Sequence, residues 1–134
     1  MEFKHFTRKE IENGKDIPPD LYPNIFPTMI ILDEIREWYG KPIYINSSYR
    51  SPEYNHAIGG SSKSLHLEFN AIDFTILFKL DLLKIYTHLH NLDLKHHFKH
   101  LPRPGCMGLG LYKNFIHLDT RGLLNRPAPS RWKQ

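Results

Sequence analysis

The chain has 134 residues, 40% of them hydrophobic and 13% aromatic, and a formal charge of +4 with its nine histidines taken as neutral. That size and composition predict one folded domain over residues 1–134 and exclude a disordered chain. The lone cysteine, Cys106, excludes an intrachain disulfide and a cysteine-rich zinc site, and no run of about eighteen apolar residues offers a membrane span.

The moderate positive balance suits an acidic polymer as partner. Lysines and arginines are scattered rather than interleaved with aromatics in a stripe, which argues against nucleic acid. The start, Met1-Glu2-Phe3-Lys4-His5-Phe6, lacks the apolar core of a signal peptide. The expectation is synthesis in the cytoplasm, with some other device carrying the protein to any target outside.

Thr7-Arg8-Lys9-Glu10 has the capping-box pattern and predicts a short helix ending at Gly14. Asp16 to Pro23 holds three prolines and reads as an irregular connector. A helix is expected from near Pro27 to a stop at Gly40, with an apolar stripe of Ile31, Ile35 and Trp38 helped by Leu32 and Tyr39. Ile43-Tyr44-Ile45-Asn46-Ser47 alternates as a strand whose buried face carries Ile43 and Ile45. Pro52 to Ile58 predicts one or two helical turns. The Gly59–Ser64 loop after it is flexible in composition but lacks phosphate-loop spacing. In the strand Ala71–Thr75, Ile72 and Phe74 face one way and Asp73 the other. Asp81 is placed to cap a helix through Leu82–Leu89. Asn91 to Arg103 is polar and histidine-rich, and Pro102 and Pro104-Gly105 mark a loop. Leu109–Tyr112 and Phe115–Asp119 predict two strands joined by Lys113-Asn114, with Asn114 suited to a positive φ. The proline-rich tail from Gly122 is assigned no element, and there is no internal repeat.

Two segments carry chemistry. On one helix, His66 and Asp73 would sit about 10.5 Å apart along the axis. Ligands of one zinc ion approach it to about 2.0–2.2 Å, so a loop that turns back into a strand suits the pair better. In Phe115-Ile116-His117-Leu118-Asp119 the period of two puts His117 and Asp119 on one face and Ile116 and Leu118 in the core. Two histidines and a carboxylate leave a fourth zinc position open, the catalytic rather than the closed structural pattern. Spacing by itself leaves ordinary polar surface as an equal alternative. The cluster His88, His90, His96, His97 and His100 has one i, i+4 pair but no HExxH pattern, and reads as a solvated basic patch.

The segments Ile45–Asn55, Ile58-Gly59-Gly60, Ser64-Leu65-His66 through Ala71-Ile72-Asp73-Phe74, Gly108–Tyr112 and Phe115–Asp119, with Arg121-Gly122 and Arg131-Trp132, resemble the zinc D-alanyl-D-alanine carboxypeptidase family. The similarity is nearest to its short, often phage-associated branch, and it runs from His5 to Trp132. It implies an α+β fold with a small antiparallel sheet flanked by helices, the Hedgehog-like DD-peptidase architecture. It implies one Zn2+ held by His66, Asp73 and His117, and peptide-bond hydrolysis in bacterial peptidoglycan stem peptides. Arg50 matches an arginine suited to a substrate carboxylate, with a structural ion pair as its other reading. Ser64 matches a serine suited to substrate backbone, or to holding the loop. A monomer acting on the cell wall, phage-encoded or virion-associated, is expected.

Four positions depart from the family pattern. Phe69 replaces a glycine, and such bulk is expected to move the loop or narrow the cleft; Ser48 replaces another glycine. Asn114 and Phe115 stand where branches of the family carry a Glu or His base. Asp119 is then either the general base or a residue that orients a ligand histidine, and Glu68 is a weaker, exposed candidate. The departures motivate an alternative: a zinc-containing wall-binding or virion structural module without turnover.

Overall fold

The computed structural model describes residues 2–134; Met1, the first residue of the expected domain, lies outside them. Helix α1 (Arg8–Glu12) opens on a complete capping box, with the Thr7 hydroxyl accepting from the Glu10 N–H and the Glu10 carboxylate accepting from the Thr7 N–H. It stops one residue earlier than expected, because Asn13 takes the left-handed conformation that ends a helix. The proline-rich connector ends in a 3-10 turn at Tyr22–Ile25.

Helix α2 (Phe26–Tyr39) carries Pro27 in its first turn and ends at Gly40 with φ of 75°. Its buried stripe is Thr28, Met29, Ile31, Leu32 and Ile35. Trp38 lies outside that stripe: it is 42% exposed and stacks on His88 at 3.8 Å. Strand β1 (Tyr44–Ser47) leads through Tyr49 to helix α3 (Pro52–Ala57), and strand β2 (Ile72–Thr75) leads to helix α4 (Leu82–Leu94). Asp81 precedes α4 but does not cap it. Its carboxylate instead accepts from the Tyr39 hydroxyl at 2.7 Å. The helix also runs five residues past Leu89, taking in the start of the polar, histidine-rich stretch.

Strands β3 (Gly108–Leu111) and β4 (Ile116–Asp119) form the expected hairpin, with the Tyr112 N–H donating to the Phe115 carbonyl at 2.9 Å. Asn114 is not among the residues of positive φ, so the turn is made without it. Strand β5 (Ser130–Lys133) comes from the tail to which no element was assigned. The five strands lie in the order β1-β2-β4-β3-β5, antiparallel except for β3 with β5. One face of the sheet packs Ile72, Phe74, Leu109, Ile116 and Leu118 against α2 and α4. The other face carries the polar residues described below. The architecture is α+β, as the resemblance implied. Among the described residues no helix is long and apolar enough to cross a membrane.

Candidate metal centre

One row of residues crosses the sheet. Ser47 pairs with Asp73, Asp73 with His117, His117 with Gly110, and Gly110 with Trp132. Neighbours across an antiparallel sheet point the same way, with side chains about 4.5–5.5 Å apart at Cβ. Register alone therefore brings Asp73 and His117 together from positions distant in sequence, and Asp73 Oδ1 lies 3.0 Å from His117 Nδ1.

His66 arrives from a tight turn rather than a strand. Its backbone carbonyl accepts from the Arg50 N–H at 3.1 Å, and its Nδ1 donates to the Ser48 carbonyl at 2.8 Å. That second bond fixes the tautomer and leaves a lone pair on Nε2. Nε2 is buried with no hydrogen-bond partner, although it stands 3.2 Å from Asp73 Oδ1. Two lone pairs facing each other in a buried site repel unless a cation lies between them. Ligand atoms of His66, Asp73 and His117 all fall within 4.8 Å of one another, and this is the group among the described residues able to hold a metal ion. The donor set, two imidazoles and a carboxylate, suits zinc.

His117 Nε2 faces the second carboxylate, Asp119 Oδ2, at 2.7 Å. Asp119 is fully buried and lies behind His117, away from the cleft. Its oxygens also accept from the Gly108 N–H at 3.1 Å and from the Arg121 N–H and Nε at 3.0 Å, with Arg121 Nη2 at 2.8 Å. Burial pushes the Asp119 carboxyl up, but hydrogen bonds from His117 and Arg121 outweigh it and hold it well below the usual carboxylate range. Asp73 follows the same pattern, with burial overcome chiefly by the hydrogen bond from His117. For His117 burial lowers the pKa, yet the bonds to Asp119 and Asp73 raise it to about 9.

The metal group opens into a cleft of about 1200 Å³ whose lining includes Arg50, Lys63, Ser64, Tyr112, Arg121, Arg126 and Trp132. Among the described residues, Asp73 is the only acidic one in that lining. Arg50 Nη2 lies 3.7 Å from Asp73 Oδ2 and Nη1 lies 3.4 Å from Asn55 Oδ1, so both contacts are long. The Ser64 oxygen accepts from the His66 N–H at 3.2 Å. Glu68 does not line the cleft, and its carbonyl accepts from Asn24 Nδ2.

Phe69 corrects an expectation. It takes the left-handed conformation with φ of 52°, so the backbone keeps the course a glycine would allow. Its ring turns into the core, fully buried, edge-on to Tyr22 at 5.4 Å and Tyr49 at 6.3 Å. It is absent from the cleft lining, so it does not narrow the cleft. The rival histidines form no metal-ligand group among the described residues; His97 and His100 are exposed, as a solvated patch requires, though each meets a separate partner. His97 meets Glu34, His100 the Pro27 carbonyl, His96 the Leu101 carbonyl, and His90 accepts from Arg131.

Residue-type reasoning missed three supports of the centre: the Ser48 carbonyl, Arg121 and the indole of Trp132. The first is a backbone group and leaves no side-chain signal. Arg121 sits two residues from Asp119, a spacing that was visible. Trp132 lies 5.0 Å from the His117 ring, and its Nε1–H donates to the Tyr112 hydroxyl at 2.9 Å.

A family model described as Peptidase M15 matches residues 4–119. No curated protein matches the chain.

Proposed function

The chain belongs to the peptidase M15 family, and from that membership we propose a zinc metallopeptidase that hydrolyses peptide bonds in the stem peptides of bacterial peptidoglycan. One observation carries the reading. His66 Nε2, Asp73 and His117 Nδ1 converge from a loop and two paired strands, the two histidines each oriented by a bond on its far side, and they face an open cleft. Zinc held by these three would supply Lewis acidity, polarising a scissile carbonyl and lowering the pKa of a water.

The other residues bind and orient. We assign Asp119 to positioning: it accepts a hydrogen bond from the Nε2–H of His117, turns the Nδ1 lone pair toward the metal position and keeps out of contact with substrate. Arg50 is free to grip a substrate carboxylate, because neither of its present contacts is short. A carboxylate held beside Asp73 favours carboxypeptidase action. The Ser64 oxygen accepts from His66, which leaves its own proton for a substrate carbonyl. Arg50, Lys63 and Arg126 against one buried acid make the cleft suited to an anionic peptide.

A second reading, a zinc-holding wall-binding module without turnover, is favoured by the same lining: Asn114 and Phe115 occupy the expected base positions, and among the described residues no second acidic side chain lines the cleft. Elemental analysis for zinc, combined with product release from purified peptidoglycan, separates the two. Free D-alanine supports carboxypeptidase action, and new amino termini without free D-alanine support an endopeptidase. A zinc-loaded protein no more active than His117→Ala would leave the binding module, and a protein with no affinity for zinc would remove both readings.

A further inference from the structure

The segment joining β2 to α4 carries the most exposed apolar side chains among the described residues. Leu80 is 96% exposed, Leu77 67% and Phe78 61%, and Leu83 stands exposed on the first turn of α4. The segment is ordered. It forms a 3-10 turn at Lys79–Asp81, the Asp81 N–H donates to the Phe78 carbonyl at 2.9 Å, and Lys79 Nζ donates to Thr75 Oγ1 at 2.9 Å. These bonds hold the apolar side chains outward against the tendency of such groups to leave water.

The surroundings are cationic. Lys41 Nζ lies 5.3 Å from the centre of the Phe78 ring, and Lys84 Nζ lies 5.6 Å from the ring of Trp38. The only acid between Leu77 and Lys84 is Asp81, which accepts from the Tyr39 hydroxyl and lies 3.8 Å from Lys41. The result is an apolar protrusion flanked by lysines with no free carboxylate of its own.

We propose that this turn docks the protein on an anionic lipid surface, with Leu77, Phe78, Leu80 and Leu83 entering the boundary between headgroups and acyl chains. Lys41 and Lys84 then meet headgroup phosphates. Both kinds of side chain are used by such a surface. A polar anionic polymer would engage the lysines and leave the leucines in water. A second copy of the chain across a two-fold axis would set this lysine-flanked patch against itself. None of these residues lines the metal cleft, so docking leaves the cleft open.

Co-sedimentation with vesicles tests this. The probes are phosphatidylcholine vesicles with and without phosphatidylglycerol, at low and high salt. We expect retention on the anionic vesicles that weakens with salt. It should fall by at least about tenfold in the double variant Phe78→Ser, Leu80→Ser, since each side chain gives up its apolar burial, and also in Lys41→Glu, Lys84→Glu. Far-UV circular dichroism identical to wild type confirms that the variants fold. Failure to bind anionic vesicles, or binding that survives the double serine variant, overturns the proposal. So does a wild-type dimer in analytical ultracentrifugation that the serine substitutions convert to monomer, because a second copy would then cover the patch.

Discussion

The two nitrogens of His117 face two different carboxylates, and only Asp73 of these reaches the cleft. Carboxylates only accept, so in metal-free protein both contacts call for protons on the ring, which is why its pKa rises to about 9. An unfolded histidine titrates near 6.5. Folding of the metal-free protein therefore takes up a proton between those values. The stabilisation is complete below about pH 6.5 and is lost as pH rises through about 9. In EDTA-treated protein, the difference in urea midpoint between wild type and His117→Ala should shrink from pH 6 to pH 10. A metal must displace that proton from Nδ1, so zinc affinity, measured by chelator competition, should rise over the same window. Asp119→Asn should weaken zinc binding by about 10–100-fold. If Asp119 acts through His117, turnover returns at saturating zinc; a variant that stays inactive when fully loaded would make Asp119 the base instead. At Phe69 two effects oppose. Phe69→Gly relieves a left-handed aromatic, about 1–3 kcal/mol, but removes a fully buried ring, about 3–5 kcal/mol. Packing wins, so thermal melting should show net destabilisation of about 2 kcal/mol, with turnover at saturating zinc retained.

Strand β3 shows how an element makes room for a site. Its sequence, Gly-Leu-Gly-Leu, puts leucines on the core face and glycines on the site face. A Cβ on Gly108 would meet Asp119 Oδ1 at 2.5 Å, and one on Gly110 would meet the Trp132 indole at 2.3 Å. The missing side chains let Arg121 close on Asp119 and let Trp132 lean across β3 to His117. Gly110→Ala should therefore push Trp132 off the sheet, costing about 1–3 kcal/mol. Wild-type and variant tryptophan emission spectra would reveal the displacement, and an unchanged spectrum would mean the indole is not wedged there. Helices α1 and α2 were legible because caps and stops are local: Thr7, Glu10 and Gly40 act on their own backbone. The alternation around Asp73 and His117 was legible for the same reason. Strand β5 was not, because Ser130–Lys133 has no period of its own and becomes a strand by pairing with β3. Trp38 was misplaced because a helical stripe indicates a face, while the neighbour that covers it belongs to another element.

At the scale of the molecule, the metal would join a loop to two strands of the sheet, so it belongs to the folded state. Binding that favours the native chain adds about 4 kcal/mol when free zinc exceeds Kd a thousandfold. Calorimetry should show a lower Tm after EDTA treatment and its recovery with added zinc; an unchanged Tm would mean the group binds no metal. A buried polar network complements this link. The Thr28 hydroxyl donates to the Asn70 carbonyl at 2.7 Å, and the Asn70 side chain bonds Thr120 at 2.8 and 3.0 Å. It ties α2 and the His66 turn to the end of β4, so the ligand turn is held by the core as well as by the sheet.

Periodicity, caps and turn residues were enough to determine most of the helices and strands, since each depends on chemistry within a few residues of chain; the α+β class and the set His66, Asp73 and His117 came from the family resemblance, spacing alone leaving polar surface as an equal alternative. Register decided the rest. Asp73 stands opposite His117 only because β2 pairs with β4 in one alignment, and Trp132 reaches them only because Gly110 lies between. Burial decided that Asp119 faces away from the cleft and that Phe69 turns inward. Those outcomes depend on which distant segment fills the adjacent space, and that space exists only once the chain has folded.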